Sequence, residues 1–238
     1  MGQQQLTFVD LFCGAGGFSA GMRAAGLVCL GGVDLDATAC ATYQANHGAA
    51  MRADARALRA EDVMRLTGGV APDVLVASPP CQSISACGAA VQRVVPADAL
   101  WREAVRLAAE LGVRAVALEN VARFATKRDA DGTPLADAAG AALREAGFAT
   151  VQHMRLDAAD FGAPQRRRRA FVVGLRDAAA PPLDVRRTAN APRTFRDVAA
   201  TAKQARVCGR ECSRALEMSW SGACVMRASP NPPMQPSR

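Results

Sequence analysis

Short apolar runs alternate along the chain with longer segments of helical character. The apolar runs end in glycine, proline or acidic residues and predict buried strands at 6–12, 27–33, 74–77, 113–118, 148–156 and 170–175. The segments between them predict helices at 18–25, 37–47, 55–66, 100–111 and 135–146. This alternation predicts a single α/β domain with a mostly parallel sheet and one antiparallel strand near its end.

The strand over 74–77 stops abruptly at two prolines. Pro79 and Pro80 fix their own backbone angles and disfavour a helix, so they predict a stiff, extended exit from the strand. Cys81 therefore follows the carboxyl end of a strand, where open α/β sheets bind ligands. Most free cysteines are small buried hydrophobes, but two prolines and Gln82 suit core packing poorly. We interpret Cys81 as a nucleophile.

A glycine-rich turn follows the first strand. Residues 13–17 read Cys-Gly-Ala-Gly-Gly and open the helix at 18–25, a layout in which backbone approaches a nucleotide-like ligand closely. Asp34 comes about 20 positions later, where an acidic residue takes ribose hydroxyls. Ser19 stands where a dinucleotide fingerprint has its last glycine, and no lysine follows to form a P-loop. S-adenosylmethionine therefore fits as well as NAD.

Two further acidic residues follow predicted elements. Asp54 either closes a short third strand and faces the same pocket, or caps the helix predicted over 55–66. Glu119 follows the strand over 113–118, parallel to the strand that precedes Cys81. A carboxylate at that edge can face the same crevice, and as a purely structural residue it would need a partner or solvent.

Four consecutive arginines precede the last predicted strand. They follow Gln165 in the run Gln165–Arg169. Such a run is usually solvated or faces phosphates, but alternate residues of an extended segment point to opposite sides. We therefore predict that Arg167 and Arg169 share a face with Gln165.

Composition narrows the function classes. The 238 residues carry a net charge of +7, of which +5 falls in residues 177–238, a distribution that favours an acidic polymer as partner. Neither a secretory signal nor an apolar run of membrane-spanning length is evident, so we expect a cytoplasmic protein, with its eight cysteines reduced. Three late cysteines lack a fourth ligand or a neighbouring histidine, so we expect no metal site at Cys208, Cys212 or Cys224.

Four of these segments together resemble the DNA (cytosine-5) methyltransferases. Asp10–Phe18 is similar to the family's cofactor loop, Pro79–Gln82 to its nucleophile motif, Glu119–Val121 to its acid motif and Gln165–Arg169 to its Q-R-x-R-type motif. The motifs occur in the family's order, and the resemblance covers roughly residues 5–176. It implies a Rossmann-like S-adenosylmethionine-dependent methyltransferase domain.

The implied reaction is methyl transfer to C5 of cytosine. The Cys81 thiolate would add to C6, which makes C5 nucleophilic enough to take the methyl group. Glu119 would hold N3, and Arg167 or Arg169 would hold O2. Because a stacked base cannot reach the thiol, the cytosine must be flipped out of the duplex.

The resemblance also assigns the remaining site residues and partners. It implies that the cofactor contacts Phe12, Gly14, Gly16, Asp34, Asp54 and Pro80. It implies that the substrate contacts Gln82, Asn120 and Gln165. Double-stranded DNA is the implied partner, which places the protein at the nucleoid, and a companion restriction endonuclease would accompany it. We expect a monomer.

Several positions depart from the family pattern. Asp34 replaces the more common glutamate, Ile84 an aromatic residue, and Ala97-Asp98 an Arg-Gly pair before a helix. The family continues into a target-recognition region and a C-terminal motif that we do not find here. We interpret residues 177–238 as a short basic remnant of that region, with no clear period and no predicted order from about Lys203 onward.

Three other functions stay open. The chain could be a remnant that binds cofactor or DNA without catalysis. It could methylate cytosine in RNA by the same chemistry. An NAD-linked oxidoreductase is the weakest alternative, because it gives Cys81 and the arginine run no role.

Overall fold

One seven-stranded sheet forms the centre of the part of the chain that the structure describes. The computed structural model describes residues 5–80, 100–129, 131–189, 191 and 193–194. The strands are β1 (Thr7–Leu11), β2 (Val28–Asp34), β3 (Ala50–Arg52), β4 (Val74–Ala77), β5 (Ala115–Val121), β6 (Thr150–Asp157) and β7 (Arg168–Leu175). The helices are α1 (Gly17–Ala24), α2 (Ala37–His47), α3 (Ala60–Leu66), α4 (Leu100–Glu110) and α5 (Leu135–Glu145).

The sheet has the order β3-β2-β1-β4-β5-β7-β6. The pairs from β3 to β5 are parallel, whereas β7 runs antiparallel to both β5 and β6. The predicted α/β fold, with a mostly parallel sheet and one antiparallel strand near its end, is confirmed. The chain direction places the carboxyl ends of β1, β2, β4 and β5 along one edge.

Alternation along the strands builds a core on each face of the sheet. Phe8, Val74 and Val76 pack on one face against Phe18 and Met22 of α1. The larger core on the other face joins strand residues to side chains of α3, α4 and α5, among them Val9, Leu75, Val63, Leu107 and Leu143. Helices therefore cover both faces of the sheet.

Three corrections to the predicted boundaries bear on the site. The helix predicted over 55–66 begins only at Ala60, and residues 55–57 form a turn in which Leu58 N–H donates to the Asp54 carbonyl. Strand β5 continues beyond 118 to Val121, and β7 begins at Arg168 rather than at 170. Both extensions have one cause, since antiparallel pairing with β7 continues the hydrogen-bonded ladder to Val121 and Arg169.

The segment after β7 is attached to the sheet. The Gln152 side chain of β6 donates to the Leu183 carbonyl at 2.9 Å and accepts from Leu183 N–H at 2.8 Å. Farther along, the N–H groups of Thr188 and Ala189 donate to the Asp160 carbonyl at 3.2 and 3.0 Å. The part of this segment that the structure describes thus runs beside β6, the edge strand.

Candidate active site

The glycine-rich turn leaves the sheet through an unusual backbone conformation. Phe12, at the end of β1, has a φ of 60°, the only positive value at a non-glycine residue that the structure describes. Gly14 and Gly16 follow with φ of 53° and 93°, and Gly16 is the N-cap of α1. L-residues rarely adopt this region, so the glycines allow a turn tight enough to carry the chain from strand to helix.

His47 fills the space beneath the turn. A Cβ built on Gly16 would lie 2.1 Å from Cδ2 of His47, so the ring touches the glycine directly. The same ring lies 5.0 Å from that of Tyr43, between ring centres. Burial and the neighbouring Arg23 lower the pKa of His47, so its neutral form supports the turn near neutral pH. This contact agrees with the expectation from the sequence that His47 is an ordinary structural residue.

A cleft of about 910 Å³, which we call the aspartate cleft, opens at the carboxyl ends of β1 and β2. Four of the residues predicted to bind the cofactor line it, namely Phe12, Asp34, Asp54 and Pro80. Leu35 also lines it and is 60% exposed, the largest exposed fraction among the bulky apolar residues that the structure describes. The cleft therefore combines carboxylate acceptors with an uncovered apolar side chain.

Asp34 also organises the backbone around the cleft. Its carboxylate accepts from Gly14 N–H and from Asp36 N–H, each at 2.9 Å. The acidic residue at the end of β2 thereby fixes the glycine turn that follows β1. Gly14 is linked to the cleft by this hydrogen bond to Asp34.

Asp54 lies in the cleft and does not cap a helix over 55–66. Its carboxylate accepts from Arg56 N–H at 3.0 Å and forms an ion pair with the Arg56 guanidinium. The hydrogen bonds and the positive charge of Arg56 lower the pKa of Asp54. Of the two interpretations of Asp54, the structure favours the position beside the pocket.

A second cavity, of about 620 Å³, lies beside the first, between α1 and the start of β7. We call it the arginine–glutamate cavity because Glu119, Arg167 and Arg169 line it. Phe18 of α1 and Phe171 of β7 form an apolar wall, with their rings edge to face at 6.4 Å between centres. The predicted shared face of Arg167 and Arg169 is confirmed.

The charged groups of this cavity are coupled. Arg169 Nε donates to Glu119 Oε1 at 2.9 Å, and both side chains are mostly buried. Burial and the neighbouring charge of Arg169 lower the pKa of Arg167, and the carboxylate of Glu119 opposes this shift in part. The two guanidinium groups beside the Glu119 carboxylate suit the cavity to an acceptor oxygen or an anion.

A fully buried carboxyl group lies on the floor of the arginine–glutamate cavity. Asp10 of β1 lines the cavity, and its Oδ2 accepts from the Ser19 hydroxyl at 2.6 Å, which in turn lies 2.6 Å from the Tyr43 hydroxyl. Asp10 Oδ1 has no hydrogen-bond partner among the described residues. Burial raises the pKa of Asp10 to about 7, so a substantial fraction of this group is neutral near neutral pH. A charged residue within the apolar run of β1 was the sequence signal for this group, and we missed it.

Asn120 fixes the exit of strand β4. Its side-chain amide donates to the Pro79 carbonyl at 3.2 Å, and its Oδ1 accepts from Val121 N–H at 2.8 Å. The residue is only 6% exposed. The Asn120 side chain therefore holds the proline exit against β5, whereas the resemblance implies substrate contact. Cys81 and Gln82, which follow Pro80, lie outside the described residues.

The prediction that Gln165 shares a face with Arg167 and Arg169 is wrong. Gln165 lines a third cavity together with Arg166 and Arg168. The shared-face prediction assumed an extended segment from 165 onward, but the strand begins only at Arg168. Alternation therefore holds for the arginines and does not extend to Gln165.

The aspartate cleft and the arginine–glutamate cavity meet at two residues. Phe12 and Ser78 line both. Ser78 N–H donates to the Leu11 carbonyl at 3.2 Å, so the ends of β1 and β4 are joined where the cavities meet. A ligand in the cleft and a second ligand in the cavity would come into contact at this junction, one residue before the proline exit.

Comparison with known proteins agrees with this geometry. The family model of the C-5 cytosine-specific DNA methylases matches residues 6–208. The chain belongs to this family. Within the described part of the chain, no helix is long and apolar enough to cross a membrane.

Individual relatives cover the same region. The chain is 34% identical over 176 residues to the Type II methyltransferase M1.HphI of Haemophilus parahaemolyticus, covering 72% of this chain and 46% of that protein. It is 36% identical over 180 residues to M.AgeI of Thalassovita gelatinovora, covering 71% and 39%. The chain thus spans less than half the length of these relatives. The crystal structure of S. pombe Dnmt2 methyltransferase has the same fold, with a TM-score of 0.60 at 19% identity over 82% of this chain and 59% of that one.

Proposed function

We propose that the chain transfers a methyl group from S-adenosylmethionine to C5 of a cytosine flipped out of duplex DNA. The observation that carries this proposal is the junction of the two cavities at Phe12 and Ser78. One cavity offers carboxylates and an apolar surface to a nucleoside, and the other offers an acid and two guanidinium groups to a base. Cys81 is joined to Pro80, which lines the cleft.

The residues of the aspartate cleft fit the proposed cofactor. Carboxylate oxygens accept from hydroxyl and amino groups, so Asp34 suits the ribose and Asp54 the adenine side. The exposed Leu35 offers apolar area to a planar ring. Gly14 and Gly16 let the backbone of the turn approach the ligand closely. When bound, S-adenosylmethionine supplies an electrophilic methyl group on its sulfonium.

The arginine–glutamate cavity fits a cytosine. Arg169 occupies Oε1 of Glu119, so we assign Oε2 to face N3 of the base. Arg167 carries a positive charge that lacks a carboxylate of its own in the cavity, and we assign it to O2, where negative charge develops during the reaction. The edge-to-face pair of Phe18 and Phe171 excludes water from one side.

Cys81 is the proposed nucleophile. Its thiolate adds to C6 of the cytosine and pushes electron density onto C5, which then accepts the methyl group. The C5 proton leaves to a base, the C6–sulfur bond breaks, and the thiolate is regenerated. Asn120 acts on this step as a positioning residue, because it holds the Pro79 carbonyl two residues before the thiol.

The relatives are named Type II methyltransferases, and on that ground we include a companion restriction endonuclease in the proposal. Duplex DNA is the proposed substrate, as the family description implies.

Bisulfite sequencing of DNA from cells that express the chain tests the proposed reaction and reports the target site. We expect methylated cytosines with the wild type and none with Cys81→Ser. Cys29→Ser is the matched control, because Cys29 lies outside both cavities and a serine can keep its hydrogen bond to the Tyr43 hydroxyl. Methylation by Cys81→Ser at the wild-type level would contradict the assignment of Cys81 as the nucleophile.

A further inference from the structure

A third cavity, of about 860 Å³, lies where β6 ends and β7 begins. We call it the arginine groove, because five arginines line it: Arg155, Arg166, Arg168, Arg187 and Arg193. Leu156 lines both this groove and the arginine–glutamate cavity, so the two are direct neighbours. The proposed reaction uses none of these five arginines.

The consecutive arginines divide between the two cavities. Arg167 and Arg169 line the arginine–glutamate cavity, whereas Arg166 and Arg168 line the groove. The register of β6 and β7 explains why Arg168 and Arg169 face different cavities. Arg169 lies opposite Leu156, and Arg168 lies opposite Asp157. Cross-strand partners share a face, so successive arginines alternate between two ligand surfaces.

The carboxylates of the groove are already engaged. Asp157 pairs with Arg168 at 3.3 Å and accepts from Arg167 N–H at 2.9 Å. Asp160 pairs with Arg187 at 3.2 Å. These ion pairs neutralise two of the five arginines.

Three arginines remain without a counter-charge. Arg155, Arg166 and Arg193 are exposed and form no ion pair with a described residue. The described part of the groove therefore carries a surplus of three positive charges and no uncommitted carboxylate.

The outer wall of the groove is fixed to the sheet. Gln152 binds both backbone groups of Leu183, and the Asp160 carbonyl accepts from Thr188 and Ala189. These bonds hold residues 183–189, which carry Arg187, against β6 and the turn that follows it.

We propose that the arginine groove binds the phosphodiester backbone of the DNA strand next to the flipped cytosine. This inference rests on the proposed function for its duplex substrate. Guanidinium groups bind phosphate oxygens through two parallel N–H donors, and Gln165 adds a neutral amide donor to the same wall. Leu156 lines both the groove and the arginine–glutamate cavity, so phosphates bound in the groove would be neighbours of the flipped base.

The test measures binding of a fluorescein-labelled duplex to the full chain as a function of salt. Each phosphate contact contributes about 0.9 to the slope of log K against log salt concentration. We expect the double variant Arg166→Gln/Arg193→Gln to lower the magnitude of the slope by about two. The matched control is Arg114→Gln/Arg144→Gln, which removes the same charge where β5 begins and α5 ends, outside the groove, and should keep the wild-type slope.

The outcomes distinguish phosphate binding in the groove from the proposed methyl transfer. Equal slopes for the groove variant and the control would contradict the proposal that the groove binds the DNA backbone. A wild type that does not bind the duplex would contradict it too. A loss of tRNA binding without a loss of duplex binding would overturn it as well. Methyl transfer is measured on the same samples: a wild type that transfers no methyl group but shows the expected slopes refutes the proposed function and leaves the groove in place. For an active wild type we expect a raised KM for DNA with an unchanged kcat in the groove variant.

Discussion

Asp10 is an ionisable residue in an apolar part of the sheet. It is fully buried on β1, between Val9 and Leu11, which belong to the core on the opposite face. Its hydrogen bond from Ser19 lowers the pKa, but the desolvation of a carboxylate is the larger effect. The Ser19 hydroxyl, which lies beside the Tyr43 hydroxyl, donates to Oδ2, whereas Oδ1 has no hydrogen-bond partner among the described residues.

This environment predicts a specific pH dependence of stability. The pKa of Asp10 is about 7 in the folded chain and 3.8 ordinarily, so the folded state holds a proton between these values that the unfolded chain releases. The free energy of unfolding therefore falls as the pH rises from about 4 to about 7 because of this group. In Asp10→Asn we expect a smaller fall, by a few kcal/mol, in urea unfolding measured across that range. Parallel pH profiles for the variant and the wild type would contradict the assignment.

Glu119 and Arg169 are expected to act as a pair. Glu119→Gln keeps the shape of the side chain and its acceptor for Arg169, but it removes the acid proposed for N3. We expect the single-turnover rate of methyl transfer to fall roughly 10²- to 10⁴-fold, with cofactor affinity retained. Glu145→Gln, an exposed position at the end of α5, should match the wild type. A Glu119→Gln enzyme with the wild-type rate would exclude this role.

Side-chain roles were predictable where the strand period alone decides them. Arg167 and Arg169 share a face because alternation within and next to a strand dictates it. The predicted contact of Asn120 with substrate stays a prediction, but its bond to the Pro79 carbonyl joins residues 41 positions apart in sequence and was not predictable. The contact of His47 with Gly16 likewise requires a three-dimensional neighbour that no local pattern encodes.

At the scale of elements, the sequence predicts existence and order better than boundaries. The helix at 37–47 is observed with those bounds, because Asp36 accepts from Thr38 and Ala39 N–H and sets its start. The helix predicted over 55–66 was too long, because the turn after Asp54 and the Asp62 carboxylate, which accepts from Arg59 N–H, move its start to Ala60. Several side chains could cap the start of a helix, and tertiary contacts decide which of them does.

The junction of β1 with α1 gives a prediction that separates two physical effects. Gly16→Ala introduces a side chain at a φ of 93° and against the His47 ring, whereas Gly26→Ala meets a φ of 90° with open space around it. We expect Gly26→Ala to cost about 1–2 kcal/mol of stability from backbone strain. Gly16→Ala should cost a further 1–3 kcal/mol, roughly, from the overlap with His47.

A double-mutant cycle isolates the contact. In a His47→Ala background the overlap disappears, so Gly16→Ala should there cost about as much as Gly26→Ala does. Thermal unfolding measures all four variants, and titration with S-adenosylmethionine shows whether the turn still binds. An identical penalty for Gly16→Ala with and without His47 would show that the ring does not constrain the turn.

At the scale of the whole molecule, the carboxyl edge of the sheet brings the functional groups together. Residues from β1, β2, β4, β5 and β7 reach two adjoining cavities although they are spread over more than 150 positions of the sequence. A parallel sheet makes this convergence predictable from the order of strands and helices. The arginine groove was not predictable, because it requires the segment after β7 to return along β6.

The most direct test of the account is a covalent complex with a duplex that contains 5-fluorocytosine. Fluorine at C5 cannot leave as a proton, so after methyl transfer the bond between C6 and the attacking sulfur persists. We predict that mass spectrometry finds one methylated DNA strand attached to the chain through the peptide that contains Cys81. The absence of a covalent complex, or attachment at another cysteine, would contradict the proposed mechanism.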